Sequence, residues 1–386
     1  MILTDIEQII VEVPIPKPGL STSITGGLKQ TTARHALIRI TTDEGLEGYG
    51  MGTIVGQSIE ILKMVPSKLF AGMIGEPFAV EKVMKLLRVA SEIGPRPYSI
   101  EMALWDLIGK AVKQPVYKLL GGFRDKVKAY CSTAELKKPA KMVKDAQEAA
   151  EMGFKGIKLR ARRDTIEEDI EVVKAVHDAV GDLAIMVDGN QAWGHLPPIW
   201  SVKTATKLGK FLDRIEAEWF EEPLYEKNIE GIKKLRENIE TPVAGGELGN
   251  SMYFYRDRLV NDVYDIIQAD LSFSGGILEC RKIAALCEAF CKDFIPHCWN
   301  TGLAIAASLQ VIGASPNSPW LEYPYAPPCW TPEVRDAILK EPILINKKGF
   351  VEIPKKPGLG VELNWDVIEK YRVKDSSKSA IVEGDL

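Results

Sequence analysis

Among the six cysteines (Cys131, Cys280, Cys287, Cys291, Cys298, Cys329) no two are spaced as a CxxC pair, and six in 386 residues is sparse for a disulfide framework. Cys287 and Cys291 lie four apart on an expected helix and read as two small core residues on one face. Basic runs are also missing. With a net charge of -4 and no basic tail, nucleic acid and anionic membrane are excluded as expected partners. No apolar run reaches 18 residues, and the start, Met1 to Val11, carries Asp5 and Glu7 instead of the cationic then apolar layout of a signal peptide. The expectation is therefore a cytoplasmic protein with a small-molecule partner. Histidine is scarce. Of the four, His177 falls mid-helix and His35 begins an early strand, so both read as structural; His195 follows a strand and stays ambiguous; His297 ends a strand.

What is present is a rhythm. Residues 1 to about 60 alternate short strands with turns: Ile2 to Val13, His35 to Ile40, and Gly45 to Gly50. Between the first two lies a polar loop, 14–33, whose length suggests either a lid or disorder. From Gln57 to Lys113 the period becomes helical, with Ile59, Leu62, Val83, Leu86, Leu87 and Ala90 spaced for one buried face. From Val127 apolar strands alternate with amphipathic helices, and eight strands are expected: 127–132, 156–160, 183–188, 217–221, 243–247, 265–270, 293–297 and 319–322. One helix opens at a capping box, Thr165 to Glu168. Strand starts fall about 22 to 34 residues apart, the length of one βα unit in a barrel of about 250 residues. No Gly-rich phosphate turn follows the first strand, which disfavours an open doubly wound sheet. The fold class expected is a (β/α) TIM-type barrel with an N-terminal α+β capping domain completed by the C-terminal segment. The boundaries expected are 1–125 for the capping domain, 126–323 for the barrel and 324–386 for a returning segment with frayed last residues.

Chemistry is delivered from the carboxyl ends of these strands, where a barrel places its site. Asp188, Glu221 and Glu247 end three adjacent strands, and three hard oxygen ligands without a neighbouring cysteine or paired histidine suit Mg²⁺ better than Zn²⁺. Lys158 and Arg160, two apart on the second strand, share its inward face, where an incoming carboxylate needs cations. Asp270 and His297 end strands six and seven. A carboxylate on one imidazole nitrogen leaves the other as an acid or base near neutral pH. Glu322 ends strand eight, either as a protonated hydrogen-bond partner for a developing oxyanion or as a solvated strand end. Asn190, in Asp188-Gly189-Asn190, is read with Arg160 as substrate-binding.

This constellation resembles the mandelate racemase subgroup of the enolase superfamily, across the whole chain from the Trp105-Asp106 helix through Leu120-Gly121-Gly122 to Pro357-Gly358-Leu359-Gly360. The resemblance implies Mg²⁺ on Asp188, Glu221 and Glu247, carboxylate binding aided by Lys158, a catalytic Asp270–His297 dyad, and Glu322 on an enediolate. Family racemases typically carry a second lysine where Arg160 stands, and arginine is a poor proton shuttle. One competent base favours an acid-sugar dehydratase giving a 2-keto-3-deoxy acid. The alternatives are a racemase or epimerase of a 2-hydroxy acid with the same chemistry, and a barrel that binds a carboxylate without turning it over. A homo-oligomer is expected.

Overall fold

The structure, a computed structural model, describes residues 1–25, 28–52, 67–93, 96–194 and 197–374. Ile59 and Leu62, His195 and the last dozen residues therefore lie outside the described residues. Three antiparallel strands, β1 (Leu3–Pro14), β2 (Thr32–Thr42) and β3 (Glu47–Gly52), form the first sheet in the order β1-β2-β3. Alternation decides its faces: Ile6 pairs with Ile40, and both turn inward onto Val83, Met84 and Leu87 of the helix Val80–Ile93 and onto the helix Tyr98–Ala111. Of the expected buried face, Leu86 and Ala90 are only half covered, because Met84 takes the inward position.

All eight barrel strands are present as a single run of parallel neighbours. They are β4 (Lys126–Ser132), β5 (Gly156–Arg160), β6 (Ala184–Asp188), β7 (Trp219–Glu221), β8 (Val243–Gly245), β9 (Ile266–Ile267), β10 (Asp293–Phe294) and β11 (Trp320–Pro324), with β11 hydrogen-bonded back to β4. Between β10 and β11 the seam is made by Phe294 N donating to Asn317 O (2.9 Å) and the Ser318 hydroxyl donating to Phe294 O (2.6 Å). The expected strands over 217–221, 243–247, 265–270 and 293–297 are shorter as ladders. Their last residues leave the hydrogen-bond register to present side chains, as Glu247 does after Gly246 turns the chain at φ +103°.

The barrel interior is filled by one apolar layer: Tyr130, Met186, Trp219, Ala244, Ile266, Ile295 and Trp320. Tyr130 meets Trp219 edge-on at 5.1 Å and Trp320 at 6.2 Å. With a side-chain period of two, the next inward residue on each strand lies one pleat higher, toward the carboxyl end. Those residues are Ser132, Asp188, Glu221, Gln268, His297 and Glu322, so a polar layer sits directly on the apolar one.

The expected capping box is formed: Thr165 accepts from Glu168 N, and Glu168 accepts from Thr165 N. Two expectations are corrected. The helix Gly276–Ala289 ends before Cys291, which is exposed at φ +56°, so only Cys287 is a core residue. The strand near Phe350, β12 (Phe350–Glu352), pairs antiparallel with β4 of the barrel and not with the first sheet. The returning segment reaches that sheet later, where Val373 N donates to Ile10 O (2.9 Å). Among the described residues no helix is long and apolar enough to cross a membrane.

His35 is fully buried in the first sheet with no partner on either ring nitrogen, and burial lowers it from 6.5 to about 4. The unfolded chain then takes up this proton near pH 6.5 and the folded one only near pH 4. The stability involved is full above pH 6.5 and falls by about 3 kcal/mol as the pH drops to 4. His35→Leu is expected to flatten that part of the acid profile, and urea midpoints measured at pH 7, 5.5 and 4 for both proteins check it.

Candidate active site

The polar layer is held by ion pairs. Lys158, completely buried on β5, donates to Glu221 (2.6 Å) and Glu322 (2.8 Å) and stands 3.6 Å from Asp188. Burial alone would lower its pKa, yet Glu221 and Glu322 outweigh that and raise it. Arg160, on the same face of β5, pairs with Asp188, and its guanidinium also donates to Thr133 O (2.7 Å) and the Ser132 hydroxyl (3.2 Å). Its plane lies 5.2 Å from the Trp299 ring. Both members of the pair thus point inward, as the spacing requires.

His297 stands between acids. Nδ1 is 2.8 Å from Asp270 and Nε2 is 3.1 Å from Glu247. Asp270 is itself held by Ser272 N (2.6 Å). Burial would lower the imidazole, but Glu247, Glu322 and the bond to Asp270 push it up to about 10. Both ring nitrogens thus face acids, and those acids favour the charged imidazole.

Glu322 corrects one expectation. Ser132 Oγ (2.7 Å), Lys158 and Cys298 N (2.7 Å) occupy its oxygens. Burial would raise its pKa, yet Lys158 and His297 hold it below the usual carboxylate range, and its complete burial rules out the solvated strand end.

Several contributors went unread in the sequence. Glu221 gives its second oxygen to Gln268 Nε2 (2.8 Å) and Trp219 Nε1 (3.1 Å), and Glu247 accepts from Trp193 Nε1 (2.9 Å). Gln268 and Ser132 carry a signal that the pleat makes legible: each lies two residues beyond an inward aromatic or isoleucine. Glu222 carries none. It is buried at φ +43° with both carboxylate oxygens unpartnered, and burial, then Glu247 and Asp188, raise it well above the ordinary range.

The donor set fits a hard divalent cation. Asp188, Glu221, Glu222, Glu247, Asp270 and Glu322 are six buried carboxylates, and Lys158, Arg160 and His297 are three cations, so negative charge exceeds positive. Asp188 registers the excess: burial, then Glu221, raise it to about 7. Here the three expected ligands are paired with Arg160, Lys158 and His297, and among the described residues no three acids stand as a ready-made ligand group.

Above this layer opens a cavity of about 230 Å³, small enough for a metabolite and not for a polymer. Arg160, Asn190, Glu247, Asp270 and His297 border it, while Lys158, Asp188, Glu221 and Glu322 lie beneath. Residues of the 14–33 loop cover it. Leu20 and Gln30 pair with each other, Ser23 N donates to Ala134 O (3.0 Å), and the Ser23 hydroxyl donates to Asn190 Oδ1 (2.6 Å). Asn190, at φ +45°, in turn donates to Asp188 from its backbone N (2.7 Å) and its Nδ2 (2.9 Å).

Residues 5–121 match the model of the mandelate racemase/muconate lactonizing enzyme N-terminal domain, and residues 141–367 match the enolase C-terminal domain-like model. The chain belongs to the mandelate racemase/muconate lactonizing enzyme family of the enolase superfamily. It is 31% identical over 360 residues to the arabinonate dehydratase of Saccharolobus solfataricus, spanning 90% of this chain and 93% of that enzyme. It is 33% identical over 361 residues to the D-galactarolactone cycloisomerase of Agrobacterium fabrum, spanning 88% and 92%. Among solved structures, the 3,6-anhydro-D-galactonate cycloisomerase of Zobellia galactanivorans superposes with a TM-score of 0.78 at 26% identity, over 97% of this chain and 100% of that one. The family's capping domain and barrel therefore account for both sheets; these relatives are named a dehydratase and cycloisomerases, and the hydrophobic dipeptide epimerase of Enterococcus faecalis also matches, at 29% identity.

Ser23 is the side-chain link from the covering loop to Asn190. Ser23→Ala is expected to make the 14–33 loop more open to cleavage, by a few-fold in limited proteolysis, with the thermal midpoint unchanged within error, since one exposed-end hydrogen bond is worth about 1 kcal/mol.

Proposed function

We propose that the protein is a Mg²⁺-dependent acid-sugar dehydratase, a cytoplasmic hydro-lyase that removes water from an aldonic or aldaric acid to give a 2-keto-3-deoxy acid. One observation carries the reading. Among the described residues the cavity borders one imidazole, His297, with Nδ1 held by Asp270, while the cation Arg160 is fixed by Asp188, Thr133 and Ser132 and stays charged. The dehydratase among the relatives supports the same class.

Asp188, Glu221 and Glu247 would hold the Mg²⁺, whose charge, when bound, would steady the substrate carboxylate as it takes up a second negative charge. Arg160 supplies a charged donor fork to the incoming anion. Lys158, beneath the floor, offsets Glu221 and Glu322 so that the buried acids tolerate one another. His297, oriented by Asp270 through Nδ1, takes the proton at C2 on Nε2 from its neutral form, which a cation held by Glu247 would favour by offsetting the acid that faces Nε2. The electron pair left behind expels the hydroxyl at C3, and His297 returns its proton to that oxygen, so one water leaves and His297 ends as it began. The enol that remains becomes the ketone by losing the proton of its C2 hydroxyl to solvent and taking one at C3.

Two substitutions test the parts separately. Glu221→Gln is expected to abolish turnover while circular dichroism shows a folded barrel with a lowered thermal midpoint, since Lys158 loses one buried partner, and full activity in chelator-treated wild type would refute the metal requirement. His297→Asn is expected to lose both ketone formation and exchange of the C2 proton with deuterated water. Interconversion of two C2 epimers by the wild type, without ketone, would make the protein an epimerase instead.

A further inference from the structure

The cavity has two unlike sides. Its floor carries every charged group that borders it: Arg160, Glu247, Asp270 and His297. The side formed by the covering loop and the segment after β11 presents Leu20, Thr22, Ile24, Thr25, Gln30 and Trp330. These are apolar surfaces interleaved with neutral hydroxyl and amide groups. Among the described bordering residues, Arg160 and His297 are the only cations, and each already faces an acid: Arg160 faces Asp188, and His297 faces Asp270 and Glu247.

We infer that the substrate carries one carboxylate, held at the floor, and ends at the lid in hydroxyl-bearing carbons: an aldonic and not an aldaric acid. The inference deepens the dehydratase reading, from which it takes the acid-sugar class. Its physical basis is desolvation. A second carboxylate at the far end would leave water for a wall of Leu20, Ile24 and Trp330, with neutral donors at best and, among the described bordering residues of that side, no cation to offset it. A terminal hydroxymethyl group loses far less. It keeps hydrogen-bond partners in Thr22, Thr25 and Gln30, and its carbon packs on the indole of Trp330. Glu247 and Asp270 on the floor add repulsion toward any second anion.

The test pairs each of several hexonic acids with the hexaric acid of the same configuration, in the full-length protein with Mg²⁺. Wherever a pair is turned over, the monoacid is expected to be favoured roughly a hundredfold in kcat/KM, the size of an uncompensated polar burial of a few kcal/mol. Binding to His297→Asn, measured by calorimetry, is expected to show the same order without any chemistry. Ile24→Lys places a cation on the lid side and is expected to narrow the gap at least tenfold by improving the diacid; Thr25→Lys serves as a second position. A diacid bound as tightly as its monoacid, or turned over faster, overturns the inference. If no acid yields a ketone while the monoacids alone bind, the dehydratase reading falls and the monocarboxylate inference stands.

Discussion

The Lys158 ammonium is the contact on which the site depends. It is completely buried, and its bonds to Glu221 and Glu322 span from β5 to β7 and to β11, across the barrel's interior. Removing one partner of such a group leaves the other charge buried and alone, at a cost of about 3–5 kcal/mol. Lys158 is thus a structural tie as well as an electrostatic one. The same holds for Arg160 on Asp188 and for His297 between Asp270 and Glu247. Each cation is tied to one or more acids on strands other than its own, so the polar layer is cross-linked around the ring. The surplus of acids that remains is what a divalent cation would relieve.

This layer has its place because of the pleat. Large apolar side chains plug the barrel from inside, and one pleat above them every strand that continues must offer something to the mouth. That rule made the barrel legible: the eight apolar runs and the acids after them locate the strands and the residues Asp188, Glu221, Asp270, His297 and Glu322 without any three-dimensional information. Glu247 is legible as a strand end too, yet it is out of step with the pleat and reaches the site because Gly246 turns at positive φ; the short ladders of β8, β9 and β10 reflect the same departure. Gln268 and Ser132 obeyed the rule but were passed over because neutral side chains suggest no chemistry on their own. Glu222 obeyed none, since its burial and its lack of partners are properties of packing. The ionised state of Glu322 was equally invisible, because it is set by Lys158 and His297, which arrive from other strands. Helix length decided Cys291, and strand partner choice decided β12; both are tertiary outcomes.

The capping domain does more than cover the mouth. Glu101, buried in the helix Tyr98–Ala111, accepts from Ile277 N (2.7 Å) and Leu278 N (2.9 Å), capping a barrel helix from outside its own chain segment. The approach is so close that a Cβ on Gly276 would stand 2.1 Å from that carboxylate, which explains a glycine at positive φ there. Arg96 donates to Leu248 O (3.0 Å) and Phe273 O (3.4 Å), the residue after Glu247 and a wall of the cavity. Asp106 accepts from Tyr49 N (2.9 Å) and Leu359 N (2.8 Å), joining the first sheet to the returning segment.

These contacts bear on how the lid and the floor communicate. Ser23 holds Asn190, Asn190 holds both oxygens of Asp188, and Asp188 holds Arg160, so four side chains run from the covering loop to the cation that faces the substrate. Asn190 can stand in the middle because its left-handed backbone brings its N and Nδ2 to the same carboxylate, a conformation asparagine tolerates better than most residues. A shift of the loop changes what Asn190 can offer Asp188, and a change in the partners of Asp188 is felt at Arg160. The direction is reciprocal, since any group that binds more tightly with the loop seated must favour the seated loop to the same extent. The capping domain, anchored to the barrel by Glu101, Arg96 and Asp106, fixes β1 and β2, the two strands between which the loop is held over the cavity.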